Sequence, residues 1–443
     1  MKYLKSKILM ILTVILIQIF IPINSFPQNV NSNDSIQLTG RNRLEIIGKI
    51  KEIFIEYYPL PEVSLAMINQ IYKKQRLGNY NQFENLNDFT SQITKDMRKV
   101  SNDDHIRVYP YEKIPDDLLA ETKLGYSENN YGFQKVEILP GNIGYINLTT
   151  FNNPKTAGTT AIAAMNFVAN SKALIIDLRL NGGGDEAMAQ LISSYFFDKS
   201  THLSDNFTYK DGISEQLWTQ EWVPGKRMTE APIYILMSHY SYSSAEALAY
   251  QLQQLNRAKI VGEKTRGGAH GVRYMSFPEI GINLKVPYSR EINPYSKTNY
   301  IGGVIPDIPC SSDQALIVAH LEAAKELLRT ESDSEKKYKL EWSIEGNKIA
   351  LDPLILDHQQ LLEYQGTYEN VKICIERARL MLQRGEAILE EMIPMGNDIF
   401  KYKDTNQEKY RVQFTRDTQG HIDGLYEFDS DGDRYPLKRL INE

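Results

Sequence analysis

The sequence contains only two cysteines among 443 residues, Cys310 and Cys374, and they lie far apart. So few cysteines exclude a scaffold held together by disulfides, although the two could pair in an oxidising compartment or remain buried thiols. Basic residues are not concentrated in any run, and the formal net charge is −6. This balance argues against nucleic acid and against anionic membrane surfaces as partners.

Motifs that bind metals and nucleotides are also missing. The sequence has no H-E-x-x-H pair, no phosphate-binding loop and no convincing dinucleotide fingerprint followed by an acidic residue. It therefore predicts neither a metal site nor a cofactor.

The one long apolar run lies near the first residue. Three lysines at positions 2, 5 and 7 precede an apolar stretch over residues 8–23. This layout is typical of a secretory signal peptide, here 1–26, while a retained membrane anchor is the alternative reading of a run that is short for a span. The pattern predicts export to a periplasm or to the extracellular space, with no membrane span left after processing.

Apolar periodicity divides the remaining chain into three parts. Spacings of three and four residues predict a helical domain over 36–107. Alternating strands and helices predict an α/β core over 108–330, and evenly spaced turns predict a small antiparallel β domain over 338–443. The charged segment 331–337 is interpreted as the linker between the last two parts.

The segment around Ser243 is the first candidate for chemistry. A buried apolar strand is followed by a short turn, and a helical pattern begins at Ser243. Amide groups in the first turn of a helix lack partners and favour negative charge, so an oxyanion forming beside Ser243 would meet hydrogen-bond donors there. The same serine also fits a capping box with Glu246, which requires no catalysis.

Two further segments offer chemistry of their own. Three glycines, 182–184, follow Asn181 at the end of an apolar strand, and such a turn can expose amide groups to a ligand or can simply be a turn. His105 lies between the helical part and the first strand. Its imidazole could serve as a general base, since the ordinary pKa of histidine is near neutrality, or it could be a lone surface histidine.

These segments in this order form a known pattern. The chain resembles the C-terminal-processing, or tail-specific, serine peptidases over about residues 40–325, and is nearest the branch of tricorn protease and the interphotoreceptor retinoid-binding protein modules. Each motif alone would be weak evidence, whereas the full series in one order is a strong resemblance. The motifs are 103–105, 181–184, 243–246, 257–263, 267–270 and 303–307.

The resemblance implies a fold and a set of roles. The expected fold is an α/β core of the ClpP/crotonase-like peptidase type, with an N-terminal helical domain and a small C-terminal antiparallel β domain. Ser243 would be the nucleophile and His105 the general base. The amide groups of Ser244, Gly183 and Gly184 would form the oxyanion hole.

Two departures from the family pattern affect the base and its partner. The tail-specific branch uses a lysine base at a position that falls here on Gly268, which favours His105 as the base. Relatives often carry a glutamate shortly before the motif at 303–307, and this chain does not. The group that orients His105 is therefore open, with Asp104 and Tyr300 as candidates. The stretch between His105 and the core strands is too short for a PDZ-like module.

The sequence leaves two functions in competition. The first is a secreted serine endopeptidase that hydrolyses peptides or proteins through an acyl-enzyme on Ser243. The alternative is a catalytically weak or inactive module that binds a peptide or an apolar ligand, which the retinoid-binding branch and the missing glutamate favour. The oligomeric state is open in both.

Overall fold

The computed structural model describes residues 38–111, 126–209, 211–403 and 409–440. The predicted signal segment 1–26 lies outside these residues. Within them, none of the helices combines the length and the apolar character needed to cross a membrane.

Three helices form the N-terminal part of the described chain: α1 (Gly40–Tyr57), α2 (Pro61–Arg76) and α3 (Leu86–Ser101). Proline starts α2, where its missing N–H is not needed, and Asn85 caps α3 by accepting a hydrogen bond from the Asp88 amide at 2.9 Å. The chain leaves α3 through Asn102, whose left-handed conformation (φ 53°) turns it towards His105.

The helices pack against an antiparallel sheet instead of enclosing a separate core. In this sheet the strand order is β1-β10-β5-β6, with β1 and β5 pairing with different stretches of β10. Strand β9 also pairs with β10, along most of its length. Ile47 and Phe89 of the helices share one apolar cluster with Leu284 and Val286 of β10. The strands are β1 (Arg107–Pro110), β5 (His202–Thr208), β6 (Gly212–Trp218), β9 (His270–Phe277) and β10 (Ile282–Ile292).

A second sheet forms the centre of the α/β core. Its strand order is β11-β8-β7-β4-β3-β2, and β2 alone runs antiparallel to its neighbour. The strands are β2 (Phe133–Leu139), β3 (Ile143–Leu148), β4 (Ala173–Asp177), β7 (Ile233–Met237), β8 (Ala258–Gly262) and β11 (Ile308–Pro309). The helices are α4 (Pro154–Val168), α5 (Glu186–Ser193), α6 (Ser244–Gln254) and α7 (Ala315–Leu328), with single 3₁₀ turns at Asn130–Gly132, Ser194–Phe196 and Pro278–Ile280.

Burial on both faces explains the apolar runs of this sheet. Every residue of β4 and β7 is buried, because α4, α5 and α6 cover one face and α7 covers the other. These two strands are adjacent and parallel, so their carboxyl ends lie side by side. The glycine turn follows β4 at that edge, and Ser243 follows β7.

The C-terminal part is a closed antiparallel barrel of eight strands preceded by two helices. The helices are α8 (Ser334–Leu351) and α9 (His358–Tyr364). The strands are β12 (Gly366–Tyr368), β13 (Val371–Glu376), β14 (Arg379–Arg384), β15 (Glu390–Gly396), β16 (Ile399–Tyr402), β17 (Tyr410–Arg416), β18 (Ile422–Asp429) and β19 (Arg434–Leu440). The predicted fold class is therefore confirmed: an α/β core between a helical part and a small antiparallel β domain.

The predicted linker 331–337 is helical from residue 334 onwards. Residues 334–337 form the first turn of α8, because the Asp333 side chain caps this helix by accepting from the Lys336 amide at 3.0 Å. The boundary expected at 338 thus falls inside a helix. Both cysteines of the chain, Cys310 and Cys374, are free thiols.

Candidate active site

Ser243 lies on a strained turn between β7 and α6. Its backbone has φ 56° and ψ −125°, a region that residues with a side chain rarely adopt and that costs on the order of 1–3 kcal/mol. An ordinary helix cap has extended backbone angles, so capping alone does not account for this conformation. A serine held on a strained strand-to-helix turn is how several hydrolases present a nucleophilic hydroxyl.

The glycine turn packs directly against Ser243. A Cβ at Gly183 would lie 2.7 Å from the Ser243 Cβ and 3.0 Å from the Ser244 amide nitrogen, so only glycine allows this approach. The amide of Gly183 donates to Asn181 Oδ1 at 2.8 Å, and the Ser244 hydroxyl donates to the Gly184 carbonyl at 2.9 Å. The turn therefore borders the serine as expected, but the Gly183 amide already has a partner inside the protein.

His105 is buried beside the serine turn, with 2% of its surface exposed. Its Nδ1 lies 3.1 Å from Asp103 Oδ1 and 3.1 Å from the hydroxyl of Tyr242, the residue immediately before Ser243. The rings of His105 and Tyr242 also pack together, with centroids 4.7 Å apart. The Nε2 of His105 has no hydrogen-bond partner among the described residues. Burial lowers the pKa of His105 although Asp103 opposes this shift, which favours a neutral imidazole able to accept a proton.

Asp103 accepts hydrogen bonds from several directions. Its Oδ1 accepts from the His105 backbone amide at 2.9 Å in addition to facing the imidazole, while Oδ2 lies 2.8 Å from Nδ1 of His270 and accepts from the Tyr58 hydroxyl at 3.2 Å. Burial alone would raise the pKa of Asp103, but hydrogen bonds with the two histidines outweigh it and hold that pKa well below its usual range. The carboxyl group is therefore ionised next to His105.

The two orienting candidates from the sequence lie elsewhere. Asp104 is exposed, and its carboxylate lies 3.8 Å from the Arg98 guanidinium. Tyr300 is buried and donates its hydroxyl to Glu291 at 2.8 Å. The carboxylate that contacts His105 is Asp103, which is one residue nearer to α3. The signal for it was the Asp-x-His spacing, because a carboxylate two residues before an amide can close a turn on it.

The sequence predicts Glu246 as part of a capping box, and in the structure it also binds residues outside the helix. Its fully buried carboxylate accepts from the amides of Ser243 at 2.8 Å, Gly267 at 2.6 Å and Gly268 at 2.7 Å, and from the hydroxyl of Thr265. It thereby ties the serine turn to the segment before β9. A Cβ at Gly268 would lie 2.4 Å from the Tyr242 ring, so a lysine base does not fit at this position.

A second pair of carboxyl groups consists of Glu291, which is buried, and Glu186, which is half-buried at the start of α5. Glu291 accepts from the Gln251 side chain at 2.6 Å and from the Tyr300 hydroxyl at 2.8 Å. Burial, together with the charge of Glu291, raises the pKa of Glu186 to about 8. The pKa of Glu291 is raised by burial as well. Glu186 therefore favours a proton near neutral pH, in contrast to Asp103.

Residues able to hold a metal ion also meet at the site. Asp103, His105 and His270 each offer one donor atom, and these atoms lie within 4.8 Å of one another. The sequence predicted no such group, because His270 is 167 residues away from Asp103 and no local spacing joins them.

Two stretches of the chain match known protein families. Residues 142–310 match peptidase family S41, and residues 28–127 match the N-terminal domain of that family in eukaryotic IRBP. The family resemblance predicted from the motifs is confirmed over these residues.

Two relatives are a little under 30% identical to this chain over the residues that align. The carboxyl-terminal-processing protease of Picosynechococcus sp. is 29% identical over 167 residues, 37% of this chain and 38% of that protein. The carboxy-terminal processing protease CtpA of Bacillus subtilis is 28% identical over 189 residues, 43% of this chain and 39% of that protein. The chain thus spans about two fifths of the length of these relatives.

One solved structure with a similar arrangement is the photosystem II D1 C-terminal processing protease. It is 14% identical, and the match covers 62% of this chain and 94% of that chain with a TM-score of 0.41.

Proposed function

We propose that the chain is a serine endopeptidase of the S41 type that hydrolyses peptide or protein substrates through an acyl-enzyme on Ser243. The observation that carries this proposal is the strained Ser243 turn beside a buried, ionised carboxylate and a buried imidazole. Tyr242 links these parts, because it precedes the serine and contacts His105.

We infer the following sequence of proton and bond movements. Asp103 holds Nδ1–H of His105, which leaves Nε2 as the atom that takes the Ser243 hydroxyl proton while Oγ attacks the peptide carbonyl carbon. His105 then returns this proton to the leaving amine as the C–N bond breaks. Water attacks the acyl-enzyme by the same route and releases the acid and the free serine. Asp103 stabilises the imidazolium formed in both halves.

The oxyanion formed in each half requires nearby donors. The amide of Ser244, in the first turn of α6, faces the glycine turn. We assign Ser244 and Gly184 as the oxyanion donors, because the Gly183 amide already donates to Asn181. Removing a donor of this kind from a serine peptidase lowers turnover by roughly 100-fold to 1,000-fold.

We propose that this activity takes place outside the cytoplasm. The charged and apolar pattern of residues 1–26 supports a signal peptide and action in a periplasm or outside the cell. The alternative of an inactive binding module rested on the retinoid-binding branch and on a missing orienting glutamate. Asp103 supplies a carboxylate for the orienting role and removes the second of these reasons.

Covalent labelling tests the proposal directly. A fluorophosphonate probe should label the purified protein and the control variant Ser311→Ala, whose exposed serine lies outside the site, but neither Ser243→Ala nor His105→Ala. Near-UV circular dichroism would verify that each variant is folded. A folded wild type that is never labelled, or labelling that survives Ser243→Ala, would exclude Ser243 as the nucleophile.

A further inference from the structure

We propose that Asp103, His105 and His270 form a binding site for a divalent transition-metal ion of the Zn²⁺ type, and that the bound ion switches off the Ser243 chemistry. The binding site stands on the geometry of the three side chains alone. The inhibitory effect also rests on the proposed peptidase function.

The distances suit a shared ion. Nδ1 of His105 and Nδ1 of His270 lie 3.1 Å and 2.8 Å from the two carboxylate oxygens of Asp103. Ligand atoms that share a zinc ion at bond lengths of about 2.0–2.2 Å lie about 3.0–3.5 Å apart. The donor atoms of the three residues lie within 4.8 Å of one another, so they need to close by about 1.3 Å at most. Two imidazoles and one carboxylate are also ligands that zinc and its neighbours in the first transition row prefer.

The surroundings hold the three side chains in place. Each of them exposes 7% or less of its side-chain surface. Tyr58 donates to Asp103, and the Tyr242 hydroxyl lies 3.1 Å from Nδ1 of His105. Prepositioned ligands bind an ion with less loss of conformational freedom, and three protein ligands leave a coordination position for water.

The Nε2 atoms of His105 and His270 explain how a bound metal ion would inhibit the reaction at Ser243. Both are buried and have no hydrogen-bond partner among the described residues. A neutral imidazole that gives Nδ1 to a metal carries its proton on Nε2. His105 in that form cannot accept the Ser243 proton, and the shift of the proton to Nε2 breaks no hydrogen bond at that atom. The metal and the proton relay therefore exclude one another.

One charge opposes the ion. Lys285 on β10 lies opposite Arg107 of β1, two residues after His105 in the chain, and its positive charge lowers the pKa of His105. A second cation at this place lowers metal affinity, so replacing Lys285 by the uncharged, similarly sized methionine should strengthen binding. A gain of affinity of this kind is not expected from a damaged site.

Binding is best measured in Ser243→Ala, which keeps all three ligands and needs no turnover. Calorimetry with Zn²⁺ should give one ion per chain, and Co²⁺ should show the absorption of a low-coordinate site. Adding His270→Gln should weaken Zn²⁺ binding roughly 100-fold or more. Adding Lys285→Met should strengthen it at least about threefold. The matched control is His239→Gln, which removes an exposed histidine paired with Glu263 at 3.0 Å and should change nothing.

The outcomes separate the two parts of the proposal. Zn²⁺ affinity unaffected by His270→Gln, or the absence of binding at millimolar Zn²⁺, would overturn the site. If the site binds but Zn²⁺ fails to slow fluorophosphonate labelling of the wild type, and chelation fails to change it, the inhibitory role is overturned. A wild type that binds Zn²⁺ yet is never labelled would count against the peptidase function and leave the metal site standing.

Discussion

Two buried carboxylates border the Ser243 turn, and they are bound in opposite ways. Asp103 is contacted mainly by side chains, the imidazoles of His105 and His270 and the Tyr58 hydroxyl. Glu246 is contacted mainly by backbone amides, those of Ser243, Gly267 and Gly268. The first arrangement controls a side chain that can move a proton, whereas the second fixes the path of the chain.

The pKa values of the two groups follow the same division. Burial tends to raise both, but the two histidines hold the pKa of Asp103 well below its usual range. Burial still leaves the pKa of Glu246 raised, although four donors counteract it. Hydrogen bonds with imidazoles therefore lower the pKa of a buried carboxyl group more here than hydrogen bonds with backbone amides do. We expect Asp103 to matter most for turnover and Glu246 most for stability.

Removing the charge of Asp103 should give the largest effect on activity. Asp103→Asn keeps the size of the side chain but no longer fixes Nδ1–H of His105, so labelling of Ser243 should slow by roughly 1,000-fold to 10,000-fold. The rate of fluorophosphonate labelling measures this, with near-UV circular dichroism as the test of folding. A folded variant that labels within tenfold of the wild-type rate would deny Asp103 its assigned role.

Glu246→Gln tests the other half of the comparison. Glutamine has one acceptor oxygen where the carboxylate has two, so at least one buried donor loses its partner, which costs on the order of 2 kcal/mol of unfolding free energy. Thermal unfolding should show a lower midpoint than in wild type and in the exposed control Glu341→Gln. An unchanged midpoint combined with a labelling rate as low as that of Asp103→Asn would reverse the two assignments.

Glu186 extends the comparison to a half-buried carboxyl group whose charged neighbours, such as Glu291 and Asp185, are also acidic. Its pKa of about 8 in the folded protein lies above the ordinary 4.5, so the folded state binds the proton more tightly than the unfolded chain does. The associated stability is fully present below about pH 4.5 and is lost as the pH rises through about 8. The unfolding midpoint of the wild type should therefore fall between pH 6 and 9 by roughly 2 °C or more.

Glu186→Gln should make that pH dependence shallower, because the variant has no proton to lose. Thermal scans of both proteins across the same pH range provide the measurement. A steeper dependence in the variant would mean that the sign assigned to Glu186 is wrong.

Asp104→Asn should have the smallest effect on the labelling rate, and it compares Asp103 with its immediate neighbour in the sequence. Asp104 is the neighbour of Asp103 but is exposed beside Arg98, and exposed ion pairs contribute about 0–1 kcal/mol. Labelling should stay within about twofold of wild type. A loss similar to that of Asp103→Asn would restore Asp104 as the orienting residue.

The sequence predicted the fold class and the candidate Ser243 and His105, because these depend on local patterns of strand, turn and helix. It could not separate Asp103 from Asp104, since the left-handed turn at Asn102 decides which of two adjacent carboxylates faces inwards. It also missed His270 as a partner of Asp103, because that contact joins distant segments.

Two other differences have local causes. Charged composition suggested a linker at 331–337, but the cap formed by Asp333 turns most of that segment into helix. The Gly183 amide was expected to face the substrate, whereas the side chain of Asn181 reaches back and binds it. Side-chain to backbone hydrogen bonds of this kind depend on rotamers, which motif spacing does not encode.

Helix α8 has a consequence for how the chain can be divided. Leu340 and Ile344 pack into the apolar cluster that lies under α7, while the Arg411 guanidinium of the barrel lies 3.7 Å from the Trp342 ring and 2.7 Å from Glu345. The same helix thus packs against the α/β core on one side and against the barrel on the other. Neither part is therefore an independent module. Cutting the chain before α8 would expose apolar core surface to solvent, and a barrel expressed without α8 would lose the contacts of Arg411 with Trp342 and Glu345.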